Sequence, residues 1–186
     1  PLENDTGMEL LKSKDLSKAR QMLKDSGYDG APITIMVPTT IPHIHAGSLY
    51  TVQMLKEVGF NVVEQTMDWG TLTSRRPVKA HPKDDPGGWN IFHTTSGSTA
   101  LPDPWGHNNI STACEKAWYG WPCSPAANAA LLKLGDLAPG SMEFDKTLSA
   151  YHAALAENIP YVPLGEFFQV DAIRTDRISG VLDPPY

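Results

Sequence analysis

Only two cysteines occur in the 186 residues, and no stretch approaches the roughly 20 consecutive apolar residues that a membrane helix needs. Lysine and arginine number 15 against 21 aspartates and glutamates, a formal net charge of −6. The sequence therefore lacks the basic face that binding nucleic acid through its phosphates requires. Missing as well are GxSxG, a Walker loop, HExxH and a GxGxxG placed after a strand, so the common hydrolase, nucleotide and zinc-protease chemistries have no foothold. The 15 glycines and 16 prolines follow no three-residue period, which excludes collagen. With 41% hydrophobic and 19% charged residues, wholesale disorder is excluded too. The length predicts one domain or one large lobe. Pro1 opens the chain with neither a basic nor an apolar leader segment, so any export signal is expected outside this stretch.

What is present alternates between helical and strand patterns. Asp15 can cap a helix carrying Leu16, Ala19, Met22 and Leu23 on one face, with Gly27 at the C′ position and Tyr28 after it. Residues 33–37 read as a buried strand stopped by Pro38. Pro42 can open a helix with Ala46, Leu49, Val52 and Leu55 inward, ended by Gly59 and Phe60, and residues 61–67 alternate as a second strand. Two strands flanking one helix predict a parallel βαβ unit. Asp68 can cap a brief helix over 69–76, residues 77–88 read as an exposed loop, and residues 89–94 as a third strand. Residues 95–125 have little periodicity, and a loop of that length is usually functional or disordered. Its Trp105, Trp118, Tyr119 and Trp121 argue for order. Ser124 and Pro125 predict a helix over 126–134, and Ser141 a helix with Phe144, Leu148, Tyr151 and Leu155 inward, halted by Pro160. Strands are expected within 161–174, carrying Val162, Leu164, Phe168 and Val170, and over 178–182. The fold class is α/β, a mostly parallel sheet flanked by helices.

Residues that could carry chemistry are few. His43 and His45 offer two metal ligands without a third, so solvated or capping roles fit them better. His93 and His107 lie near the long loop and could meet a ligand or simply pack. His152 falls outside the apolar stripe of its helix and is expected exposed. Cys114 and Cys123 are too few for structural zinc; a bridge between them would close a short loop and contribute about 2–3 kcal/mol. Two unpaired, partly buried thiols remain the alternative. In open parallel sheets, ligands meet the loops beyond the carboxyl ends of the strands. Arg75 or Arg76 could there pair with a ligand carboxylate and Asp103 could hold an ammonium group, with Trp69, Trp89 and Trp105 as walls. The residues alone leave open a second arrangement, in which the Arg and Asp form a surface ion pair and the tryptophans are core.

The order ARQMLKDSGYDG, ITIMVPT, QMLKEVGFNVVEQTMDWGTLTSRR and GWNIFHTTSG with a later DP resembles the solute-binding proteins of peptide-type ABC importers, the family of dipeptide, oligopeptide and nickel receptors. YHAALAENIPYVPLGEFFQ and ISGVL extend the likeness over nearly the whole chain. The resemblance implies a lobe of the type II periplasmic-binding kind, with residues 1–186 forming a single C-terminal lobe and the N-terminal lobe lying elsewhere. It implies an Arg a few residues after the WG pair that grips a ligand carboxylate, matched by Arg75, and an Asp of the DP pair that holds an amino group, matched by Asp103. Trp69, Thr94, Ser96 and Trp105 are the further ligand-binding expectations. Some relatives carry a counterpart of the cysteine pair, which supports the bridge between Cys114 and Cys123. Thr94 stands where an aromatic often lies and 96–101 lacks acidic spacing, so peptide, opine, sugar and metal chelate all stay open, with a peptide-like solute favoured.

The resemblance thus implies a periplasmic or extracytoplasmic binding module, with no enzyme activity, cofactor or metal. It would deliver a small solute to an ABC permease in the membrane and make no use of nucleic acid. The competing class is a ligand-sensing or hydrolytic domain on the same lobe, with Asp103 as general base. A general base needs a positioned nucleophile or metal beside it, and the sequence offers neither.

Overall fold

A run that is apolar on both faces makes the central strand. In the computed structural model, which describes residues 2, 4–12, 15–97, 101, 103–168 and 172–181, Ile33–Pro38 (β1) buries every residue from Thr34 onward, as a strand covered on both sides must. It pairs in parallel with Val62–Met67 (β2) on one side and Ile91–Phe92 (β3) on the other, giving the order β2-β1-β3. Ile33 lies opposite Val62 and Pro38 opposite Met67, so β1 and β2 end level. The third strand is shorter than the expected 89–94. At its entry the Thr34 N–H donates to the Asn90 side-chain oxygen at 2.8 Å, so that rung of the ladder passes through a side chain. After Phe92 the chain leaves the sheet.

Local end signals place the helices. After the single turn Glu9–Lys12 (α1), Asp15 accepts the Lys18 N–H at 2.9 Å to start Leu16–Asp25 (α2), and Gly27 leaves it at φ 73°. Pro42–Val58 (α3) and Trp69–Arg75 (α4) follow, the latter capped by Asp68, which accepts the Thr71 N–H at 3.0 Å. Ser124 and Ser141 accept the N–H groups of Ala127 and Phe144 to start Pro125–Gly135 (α5) and Met142–Asn158 (α6). Each such cap is worth about 1 kcal/mol.

The inward faces differ from expectation at two helices. α3 buries Ile44, Ser48 and Val52, and leaves Ala46 and Leu49 exposed. Ser48 can be interior because its hydroxyl donates to the Ile44 carbonyl at 2.8 Å, so the polar group is satisfied within its own helix. On α2, Met22 is 62% exposed, and the helix has no fully buried residue.

Among the described residues two apolar cores result. Ile35, Val37 and Val52, with half-buried Ile33, Leu55, Val62 and Ile91, join the sheet to α3. Ala127, Leu134, Phe144, Leu148 and Tyr151 close the α5–α6 hairpin, with Leu155 half-buried against them. Fully burying side chains of this size stabilises by about 1.5–3 kcal/mol each. His152, expected exposed, is half-buried, with Nδ1 2.8 Å from the Asn4 side-chain oxygen.

Residues 161–168 form no strand. Among the described residues no neighbouring strand offers them backbone partners, and Val162, Leu164 and Phe168 are exposed, Phe168 by 86%. The segment instead runs by the start of α3, where Phe167 stacks on His43 with ring centres 4.4 Å apart. Residues 172–174 and 178–181 are likewise irregular; Val170 and Leu182 lie outside the described residues. Among the described residues no helix is long and apolar enough to cross a membrane.

Candidate functional site

Where the strands end, backbone and side-chain bonds fix the exits. The Thr39 N–H donates to the Met67 carbonyl at 2.8 Å, and the Trp69 N–H to the Thr40 hydroxyl at 3.0 Å. Beyond this carboxyl edge opens a cleft of about 280 Å³, the place where open parallel sheets take ligands. Trp69 opens α4 and Arg76 caps its far end, Thr94, Thr95 and Ser96 come from the segment after β3, and Leu101, Asn108, Asn109 and Trp118 from the long loop.

Arg76 is held in an aromatic cage. Its guanidinium carbon lies 5.5 Å from the ring centre of Trp69, 5.7 Å from Phe92, 5.4 Å from Trp118 and 5.2 Å from Tyr119. All four fall within the range of cation–π attraction. Burial lowers the Arg76 pKa from its ordinary value, opposed by the neighbouring Tyr119 hydroxyl; an arginine stays charged regardless. Its Nε is buried without a hydrogen-bond partner among the described residues.

Two of the four rings stand on a loop closed by a disulfide between Cys114 and Cys123. The loop neck is zipped by Cys114 N–H to the Pro122 carbonyl at 3.1 Å and Ser124 N–H to the Thr112 carbonyl at 3.1 Å. Inside it Trp118 packs edge-on against Phe92, with centres 5.6 Å apart. Lys79 reaches across to pair with Glu115 and lies 4.8 Å from the Trp121 ring, tying the 77–88 loop to the same structure.

Arg75 and Asp103, the two residues given charged roles by the resemblance, are engaged elsewhere. Arg75 donates from Nε to the Gly87 carbonyl at 3.1 Å, and from Nη2 to those of Pro86 and Gly88 at 3.2 and 3.0 Å. The segment it holds is tight: a Cβ on Gly88 would sit 2.6 Å from the Ala80 carbonyl oxygen. Asp103 accepts the N–H groups of Trp105 and Gly106 at 2.9 and 2.8 Å, organising its own turn. Neither lines the cleft. Trp105 is 49% exposed and donates its indole N–H to the Leu131 carbonyl at 3.3 Å. Trp89 donates its own to the Arg75 carbonyl at 3.2 Å, a second brace behind the cleft. Of the expected ligand-binding residues, then, the structure brings Trp69, Thr94 and Ser96 to one cleft and leaves Arg75, Asp103 and Trp105 outside its lining.

The histidines pack. Nε2 of His93 lies 2.8 Å from the Thr51 hydroxyl, and burial lowers its pKa. His107 stacks on Tyr161 with centres 5.6 Å apart, and burial lowers it also. Nδ1 of His45 is 2.9 Å from the Pro38 carbonyl oxygen. Sequence reasoning did not pick out Asn108, Asn109, Trp118 and Tyr119 as site residues; the usable signal was four aromatics in an aperiodic loop beside the cysteine pair. A second hollow, about 570 Å³, lies against α5 and α6, and its Lys133 and Glu143 pair with each other at 2.8 Å. The first cleft combines one caged cation, neutral hydroxyl and amide groups and two indole faces. That set can hold an anion and hydrogen-bond its body.

No family model matches the chain. It is 32% identical over 153 residues to y4tO of Sinorhizobium fredii, named a probable peptide ABC transporter periplasmic-binding protein; the match takes in 82% of this chain and 28% of that relative's length. The fold is shared with CtaP, an ABC transporter substrate-binding protein of Listeria monocytogenes, at a TM-score of 0.59 and 18% identity over 78% of this chain and 28% of that one. It is shared as well with the oligopeptide-binding protein AppA of Bacillus subtilis, solved with a nonapeptide (TM-score 0.55, 19% identity, 78% of this chain and 30% of that one). NikZ of Campylobacter jejuni, solved with Ni(L-His), gives 0.54 at 16% identity, with 78% and 31% covered. The chain thus spans under a third of the length of each of these proteins. In sequence the chain is similar to a peptide-type solute-binding protein of an ABC importer, and in its parallel sheet with flanking helices it shares the type II periplasmic-binding fold of the peptide- and nickel-type receptors, as part of a lobe.

Proposed function

We propose that residues 1–186 act as one solute-contacting lobe of an extracytoplasmic receptor, which captures a small solute and passes it unaltered to an ABC permease in the membrane. A second lobe, lying outside this sequence, supplies the facing wall. The observation that carries the reading is the half-open cleft at the carboxyl edge of the sheet, with Arg76 set into it among hydroxyl and amide groups. At about 280 Å³ the cleft is small for a complete ligand pocket, which fits a single wall. A peptide-like solute is favoured by the names of y4tO and AppA, and the side chains of Ser96, Asn108 and Asn109 can serve a peptide backbone. Arg75 and Asp103 serve the site from behind, the first by bracing 86–88 and the second by shaping a turn within the long loop. Binding is favoured over hydrolysis because Arg76 is the one titratable side chain among the described lining residues, so no general base faces a solute there. The full-length receptor, purified natively and then denatured, is expected to release a small molecule detectable by mass spectrometry in near-equal amount. Conversion of that molecule on incubation with fresh receptor would overturn the reading.

A further inference from the structure

We propose that the bridge between Cys114 and Cys123 is a redox latch on the cleft wall. A thiol reductant opens it from the Cys123 side in the folded protein, and Trp118 and Tyr119 then leave the cleft while the rest of the lobe stays folded. The effect on solute capture rests on the cleft being the solute site; the latch itself is a property of the loop.

The two sulfurs differ in access. Cys123 is exposed and Cys114 half-buried, so an incoming thiolate meets Cys123 first. The thiolate bonds to Cys123 Sγ, the S–S bond breaks, and Cys114 leaves as a thiolate that takes a proton from water. A second thiol then displaces Cys123. The bridge has gained two electrons, and two molecules of thiol have become one disulfide. The freed Cys114 thiol has an acceptor at hand, the Thr112 carbonyl oxygen 3.9 Å from its sulfur.

Inside the bridge the backbone is held where side chains disfavour it. Cys114 has φ 57° and Trp121 φ 47°, two of the three non-glycine residues with positive φ among the described residues. Such left-handed conformations are unfavourable for residues with bulky side chains and persist only where the surroundings enforce them. The Lys79–Glu115 pair on the outside of the loop is exposed, so it enforces little.

Outside the bridge the base of the loop is fastened independently. The Ser124 N–H donates to the Thr112 carbonyl at 3.1 Å and the Thr112 hydroxyl to the Ser124 carbonyl at 3.4 Å, and both residues are buried. Ser124 also caps α5. These bonds need no covalent closure, so the hairpin core outlasts reduction. What moves is the tip, and with it two of the four rings around Arg76, Trp118 at 5.4 Å and Tyr119 at 5.2 Å. Trp118 lines the cleft directly. Opening the latch therefore weakens solute binding, and by linkage bound solute protects the bridge by the same factor.

The test is reduction of the native full-length receptor, with glutathione and then with dithiothreitol. Peptide mass spectrometry should find the first glutathione on Cys123. With the bridge open, trypsin should cut after Lys116 at least about tenfold faster, and oxidised glutathione should restore protection. Far-ultraviolet circular dichroism should not change. The shift in tryptophan emission on reduction should shrink in Trp118→Phe, which keeps a ring in the cage; should that variant fold poorly, the Lys116 cut in the unaltered receptor decides. Reduction no faster than global unfolding, first attack at Cys114, or an open bridge with Lys116 still protected would overturn the inference. The receptor reading is judged apart. A small molecule carried by the native receptor and freed on reduction supports both, whereas one fully retained with the loop open overturns the latch alone. If denaturation frees no molecule while Lys116 still opens on reduction, the latch stands and the receptor reading falls.

Discussion

The guanidinium of Arg76 and the indole of Trp118 meet at 5.4 Å across a long stretch of sequence, one from the end of a helix and the other from a disulfide-closed loop. That contact makes the site depend on the covalent closure between Cys114 and Cys123, and it gives the closure an optical reporter in the tryptophans.

Reduction of the bridge, or Cys114→Ser combined with Cys123→Ser, is expected to destabilise the chain by about 2–3 kcal/mol. Release of Trp118 and Trp121 should shift the emission spectrum in the native state as well. Calorimetry and fluorescence check the two effects, and an unchanged spectrum would show that the rings do not rely on the bridge.

Arg75→Ala removes charge-assisted bonds to three carbonyls, worth about 1.5–3 kcal/mol together with the freed loop. Trypsin should then cut faster after Lys79 and Lys83, while solute affinity suffers less than in Arg76→Ala. If affinity falls and neither melting temperature nor proteolysis changes, Arg75 itself holds the ligand.

Tyr151 is 1% exposed, its hydroxyl has no partner among the described residues, and burial pushes its pKa up to about 12. Tyr151→Phe removes a polar group that gains nothing from folding, so stability should hold or rise by up to about 1 kcal/mol. A loss of more than about 1 kcal/mol in chemical denaturation would reveal a partner for that hydroxyl.

His93, His107 and His152 all sit below the ordinary imidazole value of 6.5, because burial disfavours the charged ring. On acidification the unfolded chain takes up these protons before the folded one does. The stability they contribute is therefore whole above about pH 6.5 and is lost as pH falls through the folded values. Melting scans between about pH 7.5 and 5 should show a falling midpoint. His93→Gln, which keeps a hydrogen bond for Thr51, should flatten part of that slope; an equally steep slope would place the uptake elsewhere.

The sequence made local geometry legible. Asp15, Asp68, Ser124 and Ser141 each cap the helix that follows, because a cap needs only a side chain and an N–H three residues on. Facing was less legible: Ser48 counts as polar in any apolar pattern, yet it lies inside because its hydroxyl bonds within its own helix. Which of Arg75 and Arg76 enters the cleft could not be read from the chain, since neighbours on a helix differ by about 100° and only the position of the 86–88 segment decides. Trp118, Asn108 and Asn109 come from an aperiodic loop, where position follows from the disulfide and long-range packing and leaves no pattern in the residues themselves. The strand expected within 161–174 had the right alternation, but alternation is half of a strand; the other half is a neighbour to bond.

The sheet core and the hairpin core share no residue. Heating or urea then has two separate seams to melt, and the cleft wall hangs on the connecting stretch between them. A solute gripping Arg76 on one side and the Asn108–Asn109 pair on the other would rivet the two halves, so occupancy should merge two unfolding steps into one.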